Sequence, residues 1–142
     1  NSMTLLTDSV GQIFSMINVV GWIIAGFSLL IGGFGIANIM FVSVKERTNI
    51  IGIQKALGAK KYVIIAQFLS EAAVLAVAGG IIGILLVFFA VQIVPSTSFN
   101  LTLSAGNIVY GVSIASVIGI LAGIIPAFTA ANLNPVDAIN SR

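Results

Sequence analysis

Ten charged residues punctuate this chain, and the gaps between them decide what it can become. They are Asp8, Lys45, Glu46, Arg47, Lys55, Lys60, Lys61, Glu71, Asp137 and Arg142. Two uncharged runs separate them: Ser9–Val44, with 36 residues, and Ala72–Val136, with 65. A helix needs about 20 apolar residues to cross the ~30 Å of bilayer hydrocarbon. The first run holds one crossing with residues to spare. The second would be ~97 Å long as a single helix, so it must turn back. Its proline–serine–polar cluster, Val94-Pro95-Ser96-Thr97-Ser98-Phe99-Asn100, is the natural break. The sequence therefore predicts an all-α integral membrane protein with three transmembrane helices.

Composition agrees and closes other routes. The chain is 58% hydrophobic and 7% charged, whereas soluble domains carry about 25% charged residues. A small soluble globule has too much surface to cover with so few charges. With no Cys and no His, thiol chemistry, imidazole catalysis and the usual zinc ligation are excluded, and no metal site is expected. Gly32-Gly33-Phe34-Gly35 is not a phosphate-binding loop, since no strand precedes it and no Lys-Ser or Lys-Thr follows. It reads as a kink or a close helix contact. Each acid stands in its own region, apart from any catalytic partner, which discards an intramembrane enzyme. Six cations on so apolar a chain, at net charge +2, give no basic patch for nucleic acid.

Five of the six cations lie between the first two crossings, and the next connection has none. The positive-inside rule then puts the first connection in the cytoplasm, the N-terminus outside and the C-terminus inside. Trp22 and Tyr110 fall near the outer interface and Tyr62 near the inner one, as aromatic anchors do. Residues 1–18 form an extracytoplasmic stalk or amphipathic helix, and 19–44 the first crossing. Residues 45–61 are the cytoplasmic connection, and 62–94 an amphipathic entry plus the second crossing. An extracytoplasmic loop (95–106), the third crossing (107–128) and a cytoplasmic tail (129–142) follow. In the first segment Val10, Ile13, Phe14 and Ile17 share one helical face opposite Asp8, Gln12, Ser15 and Asn18. Such a pattern fixes a face and not a tilt, so the helix either continues into the crossing or lies in the interface. The N-terminus lacks a basic region and a cleavage pattern, so it is not a signal peptide; we expect a piece of a longer chain.

Small residues recur at four-residue spacing in the later crossings: Ala76–Gly80, Gly79–Gly83 and Gly111–Ala115–Gly119–Gly123. Such rows let backbones approach where lipid removes the hydrophobic drive for association. Gly79, Gly80, Gly83, Gly111, Gly119 and Gly123 are therefore candidate helix-packing positions, within the chain or against a second copy.

The connection from Lys45 to Glu71 is the informative stretch. Ile50, Ile53 and Leu57 align on one helical face, and Gly58 follows where a C-terminal cap glycine is expected. A new helix begins near Lys60. The loop is thus a short amphipathic helix, a stop and a re-entry. On composition alone its basic residues fix topology and meet anionic lipid. Glu71 enters the inner leaflet, where a carboxylate needs an ion-pair partner; Lys45, Lys60 and Lys61 are the candidates.

Glu46-Arg47-Thr48, then Ile51-Gly52-Ile53 and Lys55-Ala56-Leu57-Gly58-Ala59, closely resemble the ERTREIGIRKALGA signature of FtsX-like, MacB-type ABC permeases. The likeness continues through Gln67-Phe68-Leu69-Ser70-Glu71-Ala72 and Gly79-Gly80-Ile81-Ile82-Gly83. It resumes at Ile125-Pro126-Ala127 and closes with Asn134-Pro135-Val136-Asp137-Ala138-Ile139. The resemblance implies a permease subunit of the bacterial inner membrane whose cytoplasmic loop docks on a separate or fused ABC ATPase. ATP and magnesium would bind there, and no cofactor in this chain. It also implies a four-helix unit, of which this chain supplies the last three helices, and a homodimer or a pair with a related permease. Motion would be relayed outward to export or extract drugs, peptides or lipoproteins, or to regulate cell-wall hydrolases. Carried over by position, Glu46, Arg47, Gly52, Ile53, Lys55, Leu57 and Gly58 are the candidates for ATPase coupling. Ile53 and Leu57 would fill a groove, while Arg47 and Lys55 would add register and association rate. Asn49, Ile50 and Gln54 stand where the signature often carries charges, and Asn132 where an arginine is common; Ile50 enlarges the apolar component. A structural protein that only assembles a membrane complex is the contrasting expectation. It would be indifferent to changes at Leu57 or Gly58.

Overall fold

The computed structural model describes residues 2–93 and 104–140, and their regular structure is entirely helical. The elements are α1 (Ser2–Glu46), α2 (Thr48–Ala56), α3 (Lys61–Ile93), α4 (Ala105–Ala131) and α5 (Pro135–Asn140). Three are long and apolar enough to cross a membrane: α1 from Leu6 onward, α3 and α4. Helices meet the requirement that backbone groups in hydrocarbon find partners within their own segment. The Val94–Asn100 cluster expected to break the second run lies outside the described residues, as does Arg142.

Residues 1–32 form one compact unit and residues 33–142 a second. In the first, the stretch carrying Val10, Ile13, Phe14 and Ile17 belongs to the same unbroken helix as the residues after it, and these four side chains are exposed.

In the second unit α3 packs along α4. Buried residues recur every fourth position on α3: Ile64, Phe68, Ala72 and Ala76. Two large residues, Ile64 and Phe68, give way to Ala72 and Ala76, and Gly80 extends the row. The two helices therefore close in as the side chains between them shrink. A Cβ on Gly80 would lie 3.0 Å from the Cβ of Ala115, and one on Gly123 2.6 Å from the Cβ of Ala72. The order of these contacts makes the pair antiparallel. On α1, a Cβ at Gly33 would sit 3.5 Å from Cγ2 of Ile118, so α1 approaches α4 there, whereas Gly32 and Gly35 face open space.

The core sits at the basic end. Met40 and Val44 of α1, Ile51 of α2, Ile64, Phe68 and Ala72 of α3, and Ala127, Ala130 and Ala131 of α4 form one buried cluster. Near water, burying a Phe or Ile side chain stabilises by about 1.5–3 kcal/mol. Deeper in lipid that drive vanishes and close approach of small residues takes its place. Along α3, Ile64 and Phe68 at the basic end and Ala76 and Gly80 beyond it follow that division.

The end of the third crossing runs on. Although α4 contains the buried Pro126, it continues to Ala131. Proline removes one backbone donor, which a helix in a protein-lined membrane setting tolerates. Beyond it the tail folds again as α5, an element that hydropathy and charge spacing do not predict. Pro135 begins it, Asn134 Nδ2 donates to Asp137 Oδ2 at 3.3 Å, and Asp137 lies in its first turn. Ala138 is buried, and α5 packs against α2.

Candidate functional site

The site is built around α2 and its supports. The joint with α1 is a single residue: Arg47 N donates to the Ser43 carbonyl at 3.0 Å, and the Arg47 carbonyl accepts from Ile51 N at 3.0 Å. Thr48 Oγ1 donates back to the carbonyls of Val44 and Lys45, both at 2.9 Å. The far end of α2 is closed by a Schellman arrangement. Ala59 N donates to the Gln54 carbonyl at 2.9 Å and Gly58 N to the Lys55 carbonyl at 3.0 Å. Gly58 adopts φ +94°, which an L side chain resists. Two of the terminal carbonyls of a helix only nine residues long thereby gain donors.

Between these fixed ends the α2 side chains separate by direction. Ile51 is 2% exposed and enters the core, and Gly52 is buried. Ile50, Ile53 and Leu57 are 56%, 46% and 85% exposed. An apolar face thus points away from the core on a helix whose opposite face is anchored. Glu46 ends α1 and is exposed.

The two cations expected to face a partner are both occupied within the chain. Arg47 Nη1 lies 3.3 Å from Glu71 Oε2 on α3, with the side chains 47% and 32% exposed. Arg47, and not Lys45, Lys60 or Lys61, is thus the ion-pair partner of Glu71 among the described residues. Helix geometry sets the lysines apart from Glu71. Lys60 and Lys61 stand at the start of α3, about 15 Å below Glu71 along one helix axis. Lys45 is two positions before Arg47, about 200° round the helix. Lys55, half-buried, donates its Nζ to the carbonyls of Ala131 at 2.8 Å and Leu133 at 2.5 Å. Lys61 Nζ reaches Asn132 Oδ1 at 3.1 Å. Two lysines from two helices therefore converge on the last turn of α4, which has no basic residue of its own. That absence, with a helix end in need of donors, was the signal that could have found the Lys55 contact.

The packing glycines divide. Gly80, Gly111, Gly119 and Gly123 lie at the α3–α4 contact; Gly111 would place a Cβ 3.7 Å from Cδ1 of Ile84. A Cβ on Gly119 would overlap that of Ala76 and come within 3.0 Å of the Ala72 carbonyl oxygen. Gly79 and Gly83 face outward, and a methyl group at either would meet nothing within 4 Å.

Against known proteins, residues 22–135 match the family described as FtsX-like permease C-terminal. The chain is 42% identical over 140 residues to the macrolide export ATP-binding/permease protein MacB of Rhodopirellula baltica, covering 98% of this chain and 20% of that protein. It is 44% identical over 117 residues to the protein of the same name from Bdellovibrio bacteriovorus, covering 82% of this chain and 18% of that one. An uncharacterised ABC transporter permease of Bacillus subtilis, YknZ, is 38% identical over 139 residues, covering 97% of this chain and 35% of its own. The chain thus spans between 18% and 35% of the length of these curated relatives.

Proposed function

This chain belongs to the FtsX-like permease family, as a multi-pass membrane protein of the ABC transporter permease type, and on that premise we propose that α2 is the element on which a cytoplasmic ABC ATPase docks. The observation that carries the reading is the exposed Ile50–Ile53–Leu57 face on a helix held from behind by Ile51 and capped by Gly58. An amphipathic helix that presents spaced apolar anchors on a rigid mount is what a hydrophobic groove receives. The basic end is then cytoplasmic, with the start of α1 outside. ATP and magnesium bind on the partner, and this chain transmits the motion to an extracytoplasmic part. The cargo we infer is drugs, peptides or lipoproteins; macrolide export is in the name of the MacB relatives. Lipid and a second copy or related permease complete the surroundings.

The test is recovery of the ATPase with the tagged full-length protein from its own membrane, in wild type and Leu57→Asp. Recovery with wild type and loss with Leu57→Asp supports docking through this face. No ATPase with either favours a protein that only assembles a complex. Equal recovery moves the docking surface away from Leu57.

A further inference from the structure

We infer that Lys55 is a positioning residue that makes α2 and the α4–α5 corner move as one body, so that a push on α2 is delivered to the last crossing. The inference rests on α2 being the ATPase-docking element and adds which crossing follows it. Three helices leave the core at the basic end, and α2 is joined to each differently. To α1 it is joined through the backbone at Arg47, a joint one residue long. To α3 it is joined by the backbone of residues 57–60, which carries the Gly58 turn, and by the ion pair of Arg47 with Glu71, at 3.3 Å between side chains that are 47% and 32% exposed. Water screens such a pair and side-chain entropy opposes it, so it yields under load.

The link to α4 is of another kind. Lys55 Nζ is half-buried and bound to two backbone carbonyls, on either side of Asn132, where α4 ends and the chain turns toward α5. Charged donors make the stronger hydrogen bonds, and the carbonyl end of a helix attracts a cation. Backbone acceptors cannot swing away as a side chain can. The contact is therefore with the frame of α4 itself. Beside it α5 packs on α2 and buries Ala138, which closes the corner from the other side. Further along, Gly119 and Gly123 meet Ala76 and Ala72 without room for a methyl group, so α4 carries α3 with it.

The test uses the full-length protein with its ATPase in nanodiscs, spin-labelled at Ala56 on α2 and Thr129 on α4, both exposed. Distances are read without nucleotide and with Mg-ATP plus vanadate, alongside ATPase recovery and ATP hydrolysis. Wild type and Lys55→Arg keep one narrow distribution in both states. In Lys55→Met and Lys55→Gln, read on the fraction that co-purifies with the ATPase, the distribution shifts or broadens when nucleotide is added. A role in folding alone would not depend on nucleotide. Lys55→Gln, which keeps a polar side chain at the position, is read in parallel in case the methionine variant fails to accumulate. A single unchanged distribution in the recovered Met or Gln variants, with ATPase bound, overturns the inference and leaves the docking reading standing. Failure of wild type to recover an ATPase overturns both.

Discussion

The Cβ of Ala76 occupies the space that a Cβ on Gly119 would need, and the carbonyl oxygen of Ala72 closes the same site at 3.0 Å. Two helices that meet through so little side chain are held by contact between their backbones, as association in lipid favours. Gly119→Ala forces α3 and α4 apart and costs about 1–3 kcal/mol, the range for overpacking. Gly79→Ala, whose methyl group enters open space, is neutral or stabilises by up to about 1 kcal/mol through helix propensity. Thermal unfolding of the full-length protein in detergent separates the two. Equal midpoints would refute the α3–α4 contact.

Gly58 is required for its backbone rather than for room, because nothing lies near its missing side chain while φ is +94°. Gly58→Ala costs about 1–2 kcal/mol, and Gly58→Asn costs less, since Asn tolerates the left-handed region. Amide exchange at Ala59, whose N–H closes on the Gln54 carbonyl, should speed up in the order Gly, Asn, Ala at position 58.

The Arg47–Glu71 pair has an exposed and a half-buried partner, and water still reaches both, so its coupling energy is about 1 kcal/mol or less and shrinks at high salt. A double-mutant cycle with Arg47→Met and Glu71→Gln measures it. A value that is large and insensitive to salt would show a buried pair instead.

Ile51 of α2 and Leu57 at its C-cap should respond in opposite ways. Ile51→Ala opens the core and costs about 2–5 kcal/mol. Leu57→Ala, at a side chain 85% exposed, leaves stability within about 0.5 kcal/mol while lowering ATPase recovery. Unfolding midpoints and co-purification, read on the same preparations, check both halves.

Most of the architecture was legible because charge placement is a coarse and strong signal. A charge at Lys45 or Glu71 is expensive in hydrocarbon, so the gaps between charges trace the crossings. The helix stop at Gly58 was equally visible, since glycine is the residue that takes a left-handed cap at no steric cost. Partners were harder to read. Arg47 reaches Glu71 across 24 residues and Lys55 reaches Ala131 across 76, and neither pairing leaves a periodic trace. The six residues of α5 are too few to show one either. Its only buried side chain among those described, Ala138, is apolar enough for any setting. What α5 rests on is α2, and only the folded chain brings them together.

The buried cluster at the basic end joins α1, α3 and α4 near Val44, Phe68 and Ala127, and it sits off-centre along the helices. From Ala72 to Ile93 the second crossing extends about 30 Å beyond that cluster. Geometry then amplifies. A rotation of about 10° about the cluster displaces the distant tip of a rod that long by about 5 Å, roughly one turn of helix. On the proposed docking at α2, force would enter beside this cluster, and a small stroke there would become a large one at the far end of the crossings.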